Sequence, residues 1–164
     1  MNKGTLTFFC GKMGAGKSTK AIEITQYNNA VLLSEDEWLA SLYPNKIALL
    51  TDYIEYSNLL KPPIKKLVQS MLSAGTNVVM DFPANTRSQR DWFRGIFSEV
   101  DAPHHLIYID LPNEVCLKQI EKRSKAQPER VATDTPHMFE QVTKHFVAPT
   151  SKEGFHTTLV TQNT

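Results

Sequence analysis

The sequence predicts an α/β fold of three layers, with a mainly parallel sheet of about five strands between helices. Three observations predict it. Short apolar runs alternate with longer amphipathic ones along the 164 residues, which is the pattern of parallel βαβ units. The runs "VVM" and "LIYI" are apolar without alternation, as strands buried on both faces must be. The stretch "TLTFFCGKMGAGKSTKAIEI", residues 5–24, passes from an apolar run through a glycine-rich turn into a helical pattern.

Each element follows from its own residues. The expected strands are "TLTFFC" (5–10), "AVLLS" (30–34), "NVVMDF" (77–82), "HHLIYIDL" (104–111) and "FHTTLVT" (155–161). A helix over 17–27 carries Ala21, Ile22, Ile24 and Tyr27. Another starts near Ser34, with Glu35, Asp36 and Glu37 in its first turn, where the helix dipole favours acids. Residues 51–74 read as helical on both sides of Pro62-Pro63, a pair expected to break or kink the run. Further helices are expected over 88–99, over 112–125 with Pro112 in the first turn, and over 136–146. "AQPERVATDTP" reads as a polar loop. No repeat, low-complexity tract or linker divides the chain, so a single domain over 1–164 is expected.

Composition narrows the function. The net charge is +1, which argues against a dedicated nucleic-acid binder. The two cysteines, Cys10 and Cys116, lack metal-type spacing and suit a reducing compartment. No apolar run reaches the roughly 20 residues of a membrane span, and the N-terminus lacks a signal-peptide apolar region. A cytoplasmic protein without a membrane partner or an obligate protein partner is expected. The five histidines show no metal-ligand spacing, and Met71, Met80 and Met138 read as core filler.

The glycine-rich turn is the most informative feature. "GKMGAGKS" matches G-x-x-x-x-G-K-[ST], with Gly11, Gly16, Lys17 and Ser18 at the fixed positions. Glycines let the backbone curl so that successive N–H groups point inward, and the helix that follows adds its N-terminal dipole. Gly11, Met13, Gly14, Ala15, Gly16, Lys17, Ser18 and Thr19 are the expected nucleotide-binding residues. Lys17 reaches the β- and γ-phosphates, Ser18 holds Mg²⁺ through its hydroxyl, and Thr19 lies nearer the α-phosphate. The fold is therefore expected to be of the P-loop NTPase type, with ATP and Mg²⁺ as cofactors.

The acids after strand two face the same crevice if ligands bind beyond the carboxyl ends of the strands. Asp36 is the choice for a base that accepts the proton of an attacking hydroxyl; the alternative is a helix cap. Asp81 closes strand three, where a carboxylate commonly holds Mg²⁺. Asn85, Arg87 and Arg90 follow it. Arg87 is placed to grip a phosphate or an acceptor, with a solvated helix face as the alternative for both arginines. Trp38, Tyr43 and Trp92 are candidates to line an acceptor pocket or to pack in the core.

The set "FFCGKMGAGKST", "LLSEDEWLASLYP", "VVMDFPANTRSQRDWFR" and "IYIDLPNEVCLKQIEKR" resembles the small P-loop kinases labelled AAA-family ATP-binding proteins. These are related to zeta toxins, chloramphenicol phosphotransferases and polynucleotide 5′-kinases. The resemblance covers roughly residues 5–147. It implies that Asp36, followed by the aromatic Trp38, activates an acceptor hydroxyl. Polynucleotide kinases carry an arginine shortly after that aspartate, and Leu39 stands there in this chain. The resemblance does not extend to ring-forming mechanical ATPases, whose modules are longer than this chain. Strand three also ends in Asp81-Phe82 rather than paired acids.

"IEKRSKAQPER" resembles the lid of small-molecule kinases, which implies a lid over about 120–136. Its candidate catalytic residues are Arg123 and Arg130, beside Lys17 and Asp36. The expected substrate-binding residues are Trp38, Asn85, Arg87 and Arg90; the expected metal ligands are Ser18 and Asp81. The expected reaction moves the γ-phosphoryl group of ATP to a hydroxyl of a small molecule. The alternatives are a polynucleotide or nucleoside kinase, a zeta-toxin-like nucleotide-sugar kinase, and a nucleotide-binding NTPase or sensor without an acceptor.

Overall fold

A computed structural model describes residues 2–162; residues 1, 163 and 164, the ends of the expected 1–164 domain, lie outside the described residues. Five strands form one sheet: β1 (Leu6–Gly11), β2 (Val31–Ser34), β3 (Val78–Pro83), β4 (His104–Asp110) and β5 (Thr157–Thr161). Their order is β2-β3-β1-β4-β5, and every neighbouring pair is parallel. Six α-helices connect them: α1 (Lys17–Tyr27), α2 (Glu35–Leu42), α3 (Leu50–Ser73), α4 (Arg87–Ser98), α5 (Asn113–Ala126) and α6 (Pro136–Thr143).

The sheet is sandwiched because its strands alternate their side chains between two cores. Leu6, Phe8 and Cys10 of β1 face one side, together with Val78, Met80 and Phe82 of β3. Helix α3 covers that side with Leu60, Ile64, Val68 and Leu72, and α4 with Phe93, Ile96 and Phe97. Phe9 and Val79 face the other side, under Ala21 of α1, Cys116 and Ile120 of α5, and Phe139 of α6. Met80 is buried, and Met71 packs partly buried against the same core.

Two local expectations are corrected. Pro62 and Pro63 do not break α3, which runs unbroken through 24 residues. Both prolines lie on its exposed side, as do Asn58 and Leu59, whose carbonyls lose their i+4 N–H partners. Water can take those bonds, while buried Leu60 and Ile64 hold the helix to the sheet on either side of the pair. The polar loop before α6 contains a 3₁₀ turn, Pro128–Arg130, and α6 ends three residues earlier than expected, at Thr143.

Topology places the site. The chain leaves β1 for β2 on one side of the sheet and returns from β3 to β4 on the other. The carboxyl end of β1 is thus the point where connections diverge, the usual ligand position in such sheets.

Candidate active site

The loop between β1 and α1 is shaped by two left-handed glycines, Gly14 (φ 79°) and Gly16 (φ 96°). A Cβ at Gly14 would lie 2.6 Å from the carbonyl oxygen of Cys116 and 2.6 Å from Cγ1 of Ile120. Glycine there lets α5 press directly on the loop. Gly16 caps α1 without any side-chain hydrogen bond. The first-turn N–H groups are therefore left to an anion. Ala15 is buried, Met13 packs against the second core, and Ser18 and Thr19 are exposed at the start of α1.

Lys17 folds over this loop. Its ammonium donates to the carbonyl of Gly11 at 2.5 Å and to that of Lys12 at 3.1 Å. Burial lowers its pKa, with the charge of Asp81 opposing. A triphosphate in the cradle would supply the negative charge that favours the ammonium form.

Asp81 sits beside it. The Ser18 hydroxyl donates to the Asp81 carboxylate at 2.6 Å. Burial raises the Asp81 pKa, the Ser18 hydrogen bond works against that, and the charge of Asp36 adds to it. These two hard oxygen donors fit Mg²⁺, which takes few protein ligands and completes its shell with phosphate oxygens and water. Among the described residues no group of three or more His, Cys, Asp or Glu side chains could hold a metal by itself.

Register brings the base candidate close. Ser34 at the end of β2 is paired with Asp81 of β3, and the Ser34 hydroxyl caps α2 by accepting from the Glu37 N–H at 3.4 Å. Asp36 therefore rises in the first helical turn beside Asp81. It is exposed, and its carboxylate lies 3.6 Å from the Arg130 guanidinium. Arg123 is near the cradle as well, since its charge acts on both Lys17 and Asp81. Lys17, Ser18, Asp36, Asp81, Arg123 and Arg130 thus gather at one end of the sheet.

Other expected site residues are placed differently. Arg90 is fully buried and does not line an acceptor site. It pairs with Glu153 at 2.8 Å and donates to the Ala84 carbonyl at 2.9 Å, so its charge is consumed inside the fold. Asn85 faces the loop rather than a substrate, accepting from the Gly11 N–H at 2.9 Å. Arg87 is exposed in the first turn of α4, and its charge acts on Glu153. Trp38, Tyr43 and Trp92 all pack partly buried against the first core.

Two acids outside the expected set hold the surroundings together. Glu35 is 3% exposed; its carboxylate accepts from the Tyr53 hydroxyl and from the Ser57 hydroxyl at 2.8 Å. Asp134 is buried between Arg123 and Arg130. Asp134 carried no signal of its own, being one of three acids with Glu121 and Glu129 among the basic residues of the lid. Glu35 carried no signal apart from its two acidic neighbours.

A phosphate cradle, the neighbouring acids Asp36 and Asp81 and the arginines Arg123 and Arg130 at the carboxyl end of a parallel sheet define a protein of the P-loop kinase type. The chain belongs to the AAA domain family known as AAA_33, whose model matches residues 6–149. It is 28% identical over 123 residues to an adenylate kinase of Prochlorococcus marinus (strain MIT 9301), covering 71% of this chain and 68% of that one. Its fold matches the Mycobacterium tuberculosis APS kinase in complex with AMPPNP and APS, with a TM-score of 0.70 and 16% identity, over 100% of this chain and 91% of that chain. A gluconokinase from Sinorhizobium meliloti 1021 matches with a TM-score of 0.63 and 16% identity, over 98% and 84% of the two chains. No helix among the described residues is long and apolar enough to cross a membrane.

Proposed function

We propose that the protein transfers the γ-phosphoryl group of ATP to a hydroxyl of a small molecule. The observation that carries this reading is the position of Asp36. Its exposed carboxylate stands in the crevice beside Asp81 and 3.6 Å from a lid arginine. A sensor that performs no chemistry has no need of a carboxylate there.

In this reading Asp36 accepts a hydrogen bond from the acceptor hydroxyl and aims its oxygen at the γ-phosphorus. The new oxygen–phosphorus bond forms as the bond from phosphorus to the β–γ bridging oxygen breaks. The hydroxyl proton passes to Asp36 and then to water, and ADP leaves. Lys17 and the loop N–H groups hold the phosphates, and Arg123 and Arg130 face the charge that moves. Ser18 and Asp81 would hold magnesium, which when bound would neutralise charge on the phosphate oxygens. Most of the rate enhancement comes from positioning and electrostatics.

The two exposed acids of the α2 first turn, Asp36 and Glu37, favour a neutral acceptor over an anionic one such as an adenylate. The acceptor in this reading is a small molecule; a nucleic acid is less favoured, and the reading invokes no membrane and no obligate protein partner. The test is a metabolite screen with γ-labelled ATP on wild-type, Lys17→Ala and Asp36→Asn proteins. Asp36→Asn is expected to lose about 10²-fold or more of transfer while still binding ATP. Full transfer by that variant would overturn the assignment of the base.

A further inference from the structure

The two lid arginines converge on Asp134. Its side chain is 1% exposed, against 28% for Arg123 and 27% for Arg130. Arg123 donates to both carboxylate oxygens, from Nε at 2.8 Å and from Nη2 at 2.7 Å. Arg130 donates from Nε at 3.0 Å and turns Nη2 toward Asp36 at 3.6 Å. Asp134 is itself fixed, because its N–H donates to the Arg130 carbonyl at 2.7 Å. The next residue, Thr135, caps α6 by accepting from the Met138 N–H at 3.0 Å.

Resting on the transfer reading above, we propose that Asp134 is a positioning residue that binds Arg123 and Arg130 into one two-pronged arm aimed at the terminal phosphate of a bound nucleoside triphosphate. Two guanidiniums set side by side repel one another. One buried carboxylate between them cancels a single charge, and the other guanidinium charge faces the exposed Asp36 carboxylate 3.6 Å away. The bidentate grip on Arg123 uses the planar fork that lysine lacks. Long flexible side chains held before the nucleotide arrives lose less freedom when it binds. Both arginines keep about a quarter of their side-chain surface exposed, which leaves their outer edges for phosphate. The charge of Arg123 already acts on Lys17 and Asp81, so the arm lies at the same end of the sheet as the cradle.

The arm distinguishes triphosphate from diphosphate, and this gives the test. Calorimetry with Mg²⁺ compares a non-hydrolysable ATP analogue with ADP on wild-type and Asp134→Asn proteins. The variant is expected to bind the analogue about tenfold more weakly while ADP changes less than about twofold, because only the triphosphate carries the group the arm meets. Asp134→Glu, which keeps the carboxylate, should restore part of the preference. If Asp134→Asn does not fold, Arg123→Lys keeps the charge but not the fork and should show the same selective loss. An unchanged ratio of the two affinities in a folded variant, whether both hold or both fall together, would overturn the proposal. Failure of the underlying reading looks different: the wild-type protein would still bind both nucleotides in a Lys17-dependent way but would label no acceptor from γ-labelled ATP.

Discussion

The Ser18 hydroxyl donates to the Asp81 carboxylate across 2.6 Å, tying the first turn of α1 to the end of β3. Each residue is brought there by a different element, Ser18 by α1 and Asp81 by β3.

That contact predicts a metal phenotype. Ser18→Ala removes one oxygen donor and frees Asp81 to rotate. The apparent affinity for Mg²⁺ in the presence of an ATP analogue should fall by about tenfold or more. Nucleotide binding without metal should stay close to wild type, since the loop backbone and Lys17 are untouched. A magnesium titration followed by calorimetry checks both arms; an unaltered magnesium dependence would remove Ser18 from the metal's ligands.

A second prediction concerns Arg90. Its guanidinium is fully buried and meets Glu153, whose side chain is 13% exposed, the Ala84 carbonyl and, at 3.9 Å, Cys10 Sγ. Arg90→Ala leaves a partly exposed carboxylate and a buried carbonyl without their partner. Removing one member of such a pair costs about 3 kcal/mol or more. Urea unfolding should register that loss, while ATP affinity, measured where the variant is still folded, stays within about twofold of wild type. A stable variant that had lost transfer would instead make Arg90 a substrate residue.

The contrast between these residues explains what could be read in advance. The cradle was legible because its constraint is local: Gly14 and Gly16 need left-handed backbone within a short loop. The central strands β1, β3 and β4 were legible because both their faces are largely buried, which leaves apolar runs in the sequence; the edge strands β2 and β5 are mostly exposed and showed only as short runs between helical segments. Asp36 was legible from its place just after a strand end. Arg90 was not, because its partner Glu153 comes 63 residues later, after the chain has passed through β4, α5 and α6. Nothing near Arg90 distinguishes it from an arginine on a wet helix face. Asn85 likewise looked like a substrate ligand until the fold set it 2.9 Å from the Gly11 N–H, 74 residues away. The unbroken α3 depended on which side of the helix Pro62 and Pro63 would occupy, and only packing decides that.

The last prediction is a pH dependence set by Glu35. Burial lifts its carboxyl from the ordinary 4.5 to about 7; the Tyr53 and Ser57 hydroxyls work against that, and the charge of Asp36 adds to it. The folded value lies above the unfolded one, so folding favours the protonated acid. The stability this group contributes is fully present below about pH 4.5 and is lost as pH rises through about 7. The loss across that window is on the order of 3 kcal/mol at most. His104 and His105, whose pKa values are lowered first by burial and also by neighbouring positive charge, lose stability in the opposite direction, as pH falls. They are shared by wild type and variant, so they cancel in a comparison. Glu35→Gln cannot ionise, and its amide oxygen can still accept one of the two hydroxyl bonds. Urea unfolding at pH 5 and pH 8 should therefore find the variant gaining on wild type at the higher pH. Parallel pH profiles for the two proteins would mean that Glu35 stays ionised in the fold, and that Tyr53 and Ser57 outweigh its burial.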